Sequence, residues 1–352
     1  MKKNFLILFF IMFVSLNGYA FANNLYPIND NKGGGYIDKQ GKIIIEQKYN
    51  FAYGFIGKYA IVEDKNHKKG VIDKKENVVV DFINEDLVNL SEDMVFYKEN
   101  GKFGLIDINK KVKFKPLYDK VRSFKEGLAG INIKGKWGYI NKKGEIQIEP
   151  KYYKIADFSG SLAGVSFKDY QTAGYINKKG KMVISFEENN LEPKEFKEGL
   201  APIIKGEEKS CSYINKRGKV VIDNKKIYPK NIYCGNFSEG LNVFYIDENQ
   251  REITTGFVDK KGNIKYSMLF MVPDSFSSGE FSVFEGFSSN MAQMMIDYKT
   301  GYISRDFKVK IPFLYEFARD FIGDLAYVKY EDKEGYINKK GVWVWSKVRE
   351  GM

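Results

Sequence analysis

The heptapeptide Gly-Tyr-Ile-Asn-Lys-Lys-Gly at residues 138–144 recurs, almost unchanged in places, along the whole chain. Close and looser copies begin at Gly35, Gly70, Gly104, Gly138, Gly174, Ser212, Gly256, Gly301 and Gly335. Nine copies at intervals of 34 to 45 residues indicate a tandem-repeat protein. In such a protein each unit is one small supersecondary structure, and the core forms only when neighbouring units pack together.

The residues around the fourth copy predict three consecutive β-strands. Residues 128–133 are mostly apolar, residues 137–140 form a second strand-like run, and residues 145–148 alternate between polar and apolar side chains. Between the second and third runs, Asn141 caps a type I turn and Gly144 tolerates a positive φ. Each unit is therefore predicted to contain an antiparallel meander.

A fourth, short strand fits into the link between units. Residues 152–158 connect the third strand to the next unit, which is enough chain for a short strand at about 3.3 Å per residue. The last unit stops after the third strand, at residues 343–345, and is predicted to lack the fourth. Four short antiparallel strands, apolar on both faces, are typical of a propeller blade with a neighbour on each side.

We therefore predict an all-β protein of nine antiparallel β-meander repeats in a closed, propeller-like array. The alternative is an open stack or solenoid of the same sheets, which needs no closure. The array is predicted to occupy residues 23–352. Its units are predicted to begin near Leu25, Tyr59, Met94, Leu128, Leu162, Leu200, Leu241, Glu280 and Leu325.

A second landmark, Phe-x-Glu-Gly-Leu-Ala, occurs at residues 124–129 and 196–201. Together with Lys-Trp-Gly-Tyr-Ile at residues 136–140 and Ile-Glu-Pro-Lys-Tyr at residues 148–152, it resembles the WG-repeat family, also called KWG repeats. The resemblance extends over about residues 25–345, although only the fourth unit keeps the tryptophan of the motif, as Trp137. It implies a bacterial β-repeat protein and implies no particular activity.

Residues 1–22 have the pattern of a cleaved secretory signal. Lys2 and Lys3 precede an apolar run at residues 5–16, and Ala20-Phe21-Ala22 is a small-x-small cleavage site. The alternative, a membrane anchor, is disfavoured because twelve apolar residues are too short to cross a bilayer of about 30 Å. The sequence therefore predicts export to the periplasm, the cell surface or the medium, with no transmembrane span after cleavage.

Charge and export together narrow the class of partner. The net charge of +11 becomes +9 once Lys2 and Lys3 leave with the signal. Outside the cytoplasm, the anions that such a protein meets are envelope polymers and lipid headgroups rather than nucleic acid. We predict an unidentified protein or anionic polymer of the envelope as the partner.

The repeated turns carry the candidate contact residues for a polyanion, which are Lys142, Lys143, Lys178, Lys179, Lys260 and Lys261. In a four-stranded meander these turns lie at one end of the array. The alternative interpretation is solubility, since lysine is common at turn tips and Glu126 and Glu198 lie near enough to offset the charge.

Extra residues relative to the shortest unit fall around positions 186–193, 224–229, 247–254 and 285–294. Because successive strands of the predicted meander run in opposite directions, these insertions are expected at the opposite end from the lysine turns. Insertions on one face are typical of a binding face in repeat arrays. The alternative is tolerated loop length, which costs little free energy.

Two cysteines, Cys211 and Cys234, belong to the mature chain. An oxidising compartment permits a disulfide between them, and the alternative is two separate thiols, because spacing alone does not determine their geometry.

No catalytic motif is recognisable. His67 is the single histidine and lies in a polar hairpin tip, which leaves no histidine pair for a metal site or a Ser-His-Asp triad. The recurring Asp or Asn of the turns is interpreted as a cap rather than a calcium ligand. We predict a non-catalytic binding or scaffold protein without cofactor or metal. The alternative is an envelope protein that binds or processes glycans at the variable loop end.

Overall fold

The computed structural model describes residues 24–83, 86–167, 172–186, 192–205, 210–223, 235–247, 252–271, 286–296 and 298–349. All regular secondary structure in these ranges is β. Thirty-three strands form nine antiparallel sheets that follow one another in chain order. The sheets are arranged in a ring as the nine blades of a β-propeller. Among the described residues, no helix is present that would be long and apolar enough to cross a membrane.

The strands are numbered in chain order and grouped by blade. Blade 1 contains β1 Tyr26–Asp30, β2 Gly33–Ile37 and β3 Ile43–Tyr49. Blade 2 contains β4 Phe51–Ala52, β5 Tyr59–Glu63, β6 Lys69–Asp73 and β7 Val78–Ile83. Blade 3 contains β8 Asp86–Ser91, β9 Met94–Glu99, β10 Lys102–Asp107 and β11 Val112–Tyr118. Blade 4 contains β12 Lys120–Lys125, β13 Leu128–Ile133, β14 Lys136–Asn141 and β15 Ile146–Tyr152. Blade 5 contains β16 Lys154–Ile155, β17 Leu162–Ser166, β18 Ala173–Asn177 and β19 Met182–Phe186.

The remaining four blades continue the series. Blade 6 contains β20 Glu192–Pro193, β21 Leu200–Lys205, β22 Ser210–Asn215 and β23 Val220–Asp223. Blade 7 contains β24 Leu241–Asp247, β25 Glu252–Asp259 and β26 Ile264–Met271. Blade 8 contains β27 Met291–Ile296, β28 Lys299–Ser304 and β29 Val309–Tyr315. Blade 9 contains β30 Phe317–Ala318, β31 Leu325–Tyr330, β32 Lys333–Asn338 and β33 Trp343–Val348.

The repeated heptapeptide forms the hairpin between the second and third long strands of each unit. In blade 4 the side-chain Oδ1 of Asn141 accepts hydrogen bonds from the backbone N–H groups of Lys143 and Glu145, at 2.9 and 3.1 Å. Gly144 closes the turn by donating its N–H to the carbonyl of Asn141, and it does so at a φ of 73°. This is the turn that the sequence predicted. Glycine adopts the left-handed region without strain, and where Glu76 and Phe307 hold the equivalent position in blades 2 and 8 they take φ values of 68° and 59°.

The short strand lies elsewhere than predicted. It was expected to end each unit, but β12 pairs with β13 and β16 pairs with β17, so it opens the sheet of the following blade. The last blade is consequently complete, because β33 pairs with β32 as its fourth strand. The sheet of blade 1 has three strands among the described residues.

The first long strand of blade 8 begins later than expected. It starts at Met291 rather than near Glu280, and the turn before it is held by the bridge between Ser288 and Met291. Ser238 and Leu241 form the same bridge in blade 7. Residues 287–290 therefore correspond to the Phe-x-Glu-Gly turn, and they keep its phenylalanine, Phe287, but not its glutamate and glycine.

The hydrophobic core lies between blades rather than within one sheet. Phe124, Tyr139 and Ile140 are 0, 1 and 0% exposed, as predicted for the landmark residues. Phe124 at the start of blade 4 packs in one cluster with Phe96 and Leu105 of blade 3. Each blade thus buries both faces against its neighbours.

Ring closure is visible in one repeated hydrogen bond. The hydroxyl of the heptapeptide tyrosine donates to a carbonyl of the next blade, as Tyr139 does to Ala156 at 2.7 Å and Tyr302 to Arg319 at 2.7 Å. Tyr336 of the last blade makes this bond to the carbonyl of Pro27 in the first blade, at 2.9 Å. The closed array is therefore confirmed and the open stack is wrong.

Candidate functional site at the turn tips

The heptapeptide turns and the Phe-x-Glu-Gly turns share one end of the ring, which we call the regular end. In blade 4 the turn after β14 and the turn before β13 are both at this end, because β13 and β14 are antiparallel neighbours. The other end, which we call the variable end, carries the hairpins between β13 and β14 and the links between blades. The same parity in every blade places Lys142, Lys178, Lys260 and Lys339 together, as predicted.

The predicted insertions divide between three outcomes. Asp247 and Glu252, the strand ends that flank one insertion, lie at the variable end, as expected from the direction of β24. Residues 224–229 and most of 186–193 lie outside the described residues. The segment 286–291 is at the regular end, so its placement at the variable end was wrong. The error arose because the Phe-x-Glu-Gly landmark is degenerate in blade 8.

In blades 4, 5 and 7 the first lysine of the turn points inward, to the preceding blade. The Nζ of Lys142 lies 3.1 Å from Oε2 of Glu92 and donates to the carbonyl of Glu92 at 2.9 Å. Lys178 makes the same two contacts with Glu126, at 3.3 and 2.8 Å. Lys260 makes them with Glu198, at 2.8 and 3.1 Å. These lysines are half-buried structural groups.

The partner glutamates also bind backbone N–H groups of the following blade. Glu126 accepts from Gly160 at 2.6 Å and from Ser161 at 2.9 Å. Glu92 accepts from Gly127, and Glu198 accepts from Gly240, each at 3.0 Å. Each glutamate therefore joins its own blade to the next through two kinds of donor. We call these glutamates and the first lysines the inner belt.

In blade 6 the inner belt lowers the pKa of the Glu198 carboxylate. Burial alone raises the pKa of Glu198, but the hydrogen bonds from Lys260 and from the Gly240 N–H outweigh it. The pKa of Glu198 is therefore held below its usual value of 4.5. Glu198 remains ionised at neutral pH, which the ion pair with Lys260 requires.

In the same three blades the second cation of the turn points away from the inner belt. Lys143, Lys179 and Lys261 are exposed, in contrast to the half-buried lysine that precedes each of them. Their backbone N–H groups bond to the Asn or Asp that caps the turn. Within the described part of the chain, none of the three side chains has a carboxylate partner. The six lysines predicted as one contact set thus separate into three structural and three available ones.

Burial and hydrogen bonding also define the capping residue in blade 7. Burial raises the pKa of Asp259, but its bonds from Asn263, from the backbone at Lys261 and from Lys265 lower the value to about 2. A carboxylate committed to its own turn and to Lys265, 3.4 Å away, does not cancel the charge of Lys261.

The other sites raised by the sequence do not form a second centre. His67 is at an exposed hairpin tip, where its Nδ1 lies 2.8 Å from Oε1 of Glu63. Cys234 and the side chain of Cys211 lie outside the described residues, so their disulfide stays a prediction. Among the described residues, no group of three or more His, Cys, Asp or Glu is arranged to hold a metal ion.

A shallow recess of about 550 Å³ lies between blades 1 and 2. Its charged groups pair with one another, since Lys48 is 2.7 Å from Glu76 and the hydroxyl of Tyr49 donates to the same carboxylate at 3.0 Å. This recess offers less unpaired charge than the turn tips.

The model of the WG containing repeat matches six segments of the sequence, at residues 35–67, 70–103, 103–137, 137–170, 174–208 and 301–333. These segments cover more than half of the chain. The protein belongs to the WG-repeat family. The name-giving Trp137 is half-buried and packs against the cluster between blades 4 and 5.

Solved structures share the fold with this WG-repeat protein at low sequence identity. A eukaryotic initiation factor superposes with a TM-score of 0.61 at 10% identity, over 92% of this chain and 95% of its own. Virginiamycin B lyase from Staphylococcus aureus gives a TM-score of 0.40 at 13% identity, over 70% of this chain and 90% of its own. The first likeness shows the fold alone, and the second is too low to support an argument. No curated protein matches the sequence.

Sequence reasoning missed the inner belt. Its signal was present, because a glutamate in one landmark and a lysine in the next unit's turn recur together, as in Glu92 with Lys142 and Glu126 with Lys178. Such pairs are about 50 residues apart, and only the ring brings them into contact. The glutamates were therefore interpreted as general charge compensation rather than as joints between blades.

Proposed function

We propose that this WG-repeat protein is exported and acts at the cell envelope as a non-catalytic binding or scaffold protein. The observation that carries the proposal is the regular end, where one turn geometry is repeated around a closed ring. A partner with a repeating surface can contact several blades there at once, and such multivalent contacts multiply weak affinities. The leader pattern of residues 1–22 supports export.

The compartment is tested by cell fractionation of the producing bacterium. The full chain is expected to appear in the periplasm, on the surface or in the medium, with a processed N-terminus after Ala22. Replacing Leu8 and Phe9 by arginine interrupts the apolar run and is expected to retain the unprocessed chain in the cytoplasm. Export of both forms alike would overturn the assignment of the leader.

The binding role is tested with the processed protein purified from the exported fraction. Immobilised and incubated with detergent-solubilised envelope, it is expected to retain an envelope component that a cytoplasmic extract does not supply. Retention of cytoplasmic components only would overturn the role at the envelope.

A second candidate function is glycan binding or processing at the variable end. Its support is the unequal length of the connections that begin there: residues 153–158 separate β15 from the bridge residue Ser159, whereas residues 272–287 separate β26 from the equivalent Ser288. Unequal connections on one face are typical of ligand-binding faces in repeat proteins. Binding to a glycan array, followed by release of reducing sugar from bound glycans, distinguishes this candidate from the scaffold role.

A further inference from the structure

We propose that the outward cations of blades 4 to 7 form one binding surface for a linear polyanion. This inference rests on the proposed envelope role, because export determines which polyanions the protein meets. The surface, which we call the cation arc, consists of Lys143, Lys179, Lys181, Arg217, Lys219 and Lys261. Its members come from four consecutive blades at the regular end.

The fold places the cation arc in a single row. Lys143, Lys179, Arg217 and Lys261 are the exposed second cations of the four turns. Lys181 and Lys219 are exposed residues that follow the turn glycine, directly before the outer strands β19 and β23. Since equivalent positions in successive blades lie side by side around the ring, the six cations follow its rim.

The charge of the cation arc is not neutralised by the protein itself. None of its six side chains has an ion-pair partner within the part of the chain that the structure describes. Of the neighbouring carboxylates, Asp259 is ion-paired with Lys265 at 3.4 Å. Glu145 accepts a hydrogen bond from the neutral Asn141 side chain at 2.9 Å, so it keeps its charge and offsets one of the six cations. Glu126 and Glu198 belong to the inner belt. Positive charge is thus concentrated outside the inner belt.

The rest of the regular end has a lower density of unpaired positive charge. In blade 8 Asp306 lies 3.6 Å from Lys308, and in blade 3 Asp107 lies 3.6 Å from Lys110. Blades 1, 2, 3 and 9 each keep an exposed turn cation without an ion-pair partner among the described residues, namely Lys42, Lys75, Lys111 and Lys340. Blades 5 and 6, at the centre of the cation arc, contribute two such cations each. This uneven density favours a binding surface over general solvation.

The chemistry of the cation arc indicates the class of ligand that it would bind. Five of the six cations are lysines, whose flexible stems present compact point charges rather than a fixed fork for one anion. A row of such groups matches a chain with a phosphate or carboxylate on every unit, bound along the rim by several blades. The shared chemistry is a linear polymer of anionic groups, which phosphodiester polymers and uronate polymers both supply.

The experiment compares three forms of the processed protein. The arc variant replaces Lys143, Lys179, Lys181, Arg217, Lys219 and Lys261 with glutamine. The matched control replaces six exposed cations away from the regular end, namely Lys32, Lys115, Lys120, Lys134, Lys136 and Lys333, and therefore has the same net charge. Both sets leave the capping Asn and Asp, the turn glycines and the inner belt unchanged, and circular dichroism verifies that both variants fold.

Binding is measured at low and high salt to linear polyphosphate, to a polyuronate, and to vesicles containing one anionic lipid. The processed protein and the control are expected to bind at least one polymer. The arc variant is expected to lose at least about tenfold in affinity at low salt, and raising the salt is expected to reduce the difference. The two polymers distinguish phosphate from carboxylate as the source of the charge.

Three results would overturn the polyanion surface: no binding of either polymer by the parent protein, equal losses in the arc variant and the control, or binding confined to the vesicles. Each of these leaves the proposed function standing if the exported protein still retains an envelope component. If the purified protein binds the polymers but retains no component of the solubilised envelope, the result would instead count against the envelope role.

Discussion

Each interface between neighbouring blades is called a seam. The seam between blades 4 and 5 and the seam between blades 9 and 1 are built from different residues. At the first, Phe158 packs edge-on against Tyr139 at 4.8 Å between ring centroids, and Glu126 binds the next turn. At the second, the tyrosine-to-carbonyl bond is kept, but Tyr26 packs against Tyr336 at 5.6 Å.

The difference follows from where Tyr26 stands in the sheet. Tyr26 pairs with Ile37 as Ala163 pairs with Ile176, so a tyrosine occupies the position that alanine holds in blade 5. Its hydroxyl donates to the carbonyl of Ile322 at 2.9 Å and accepts from the N–H of Asp324 at 3.2 Å. The seam between blades 9 and 1, the closing seam, thus uses Tyr26, a large side chain of β1. The seam between blades 4 and 5 uses Phe158, which follows the short strand β16.

The largest expected effect is at a regular seam. Phe158→Ala removes a ring that is 2% exposed and is expected to lower the free energy of unfolding by about 3–5 kcal/mol. Urea denaturation followed by tyrosine and tryptophan fluorescence measures the change. Leu117→Ala, at a side chain that is 61% exposed, is the control and is expected to change stability by less than about 0.5 kcal/mol. A loss below about 1 kcal/mol for Phe158→Ala would contradict the packing of the seam.

Removing one hydroxyl at each seam sharpens the comparison. Tyr26→Phe leaves the carbonyl of Ile322 and the N–H of Asp324 without this partner and is expected to cost about 1–3 kcal/mol. Tyr139→Phe removes a single bond to Ala156 and is expected to cost about 1 kcal/mol. Denaturation of both variants checks the order. Equal losses would show that the second contact of Tyr26 contributes nothing to closure.

The inner belt is expected to matter more at the regular seam. Glu126→Ala removes the acceptor for Gly160, Ser161 and Lys178 and is expected to cost about 1–2 kcal/mol. Asp324→Ala at the closing seam breaks an exposed pair with Lys39 at 3.6 Å and is expected to cost less than about 1 kcal/mol. Thermal melts compare the two, and a reversed order would mean that the belt does not join the blades.

The smallest effect is a dependence on pH. Because the pKa of Glu198 is lower in the folded protein than its usual 4.5, its contribution is present above that value and is lost as pH falls through the folded pKa. The melting temperature of the parent is therefore expected to approach that of Glu198→Gln below about pH 4.5. The difference is expected to be constant from pH 5.5 to 8. A difference that persisted at pH 3 would assign it to packing rather than to charge.

Much of the fold could be predicted because each local signal is repeated. Asn141 and Gly144 favour one turn geometry, and seven of the eight further copies close with the same backbone hydrogen bond, two of them with Glu76 or Phe307 in place of the glycine. Strand parity then placed the lysines of all turns at one end. The prediction was wrong at blade 8, where residues 287–291 have lost the glutamate and glycine of the landmark, and at the short strand. The residues of that strand do not reveal which neighbour it pairs with.

The candidate site was predicted at the level of residues but not of roles. Lys142 and Lys143 are adjacent residues of the same type, yet Lys142 is paired with Glu92 and Lys143 is exposed. The direction in which a turn side chain points depends on the neighbouring blade, and that blade is 50 residues away along the chain. The export of the protein and its non-catalytic role stay predictions.

The sequence by itself determined the repeat, its β-meander and the chemistry of its turns, because these depend on the backbone preferences of residues close together in the chain. Only the tertiary structure decided that the array closes. Closure depends on Tyr26 meeting Ile322, 296 residues later, and Tyr336 beyond it, contacts that no local pattern encodes. The ring also decided which lysines serve the fold and which face solvent, since charge is paired by proximity in space and not by order in the chain.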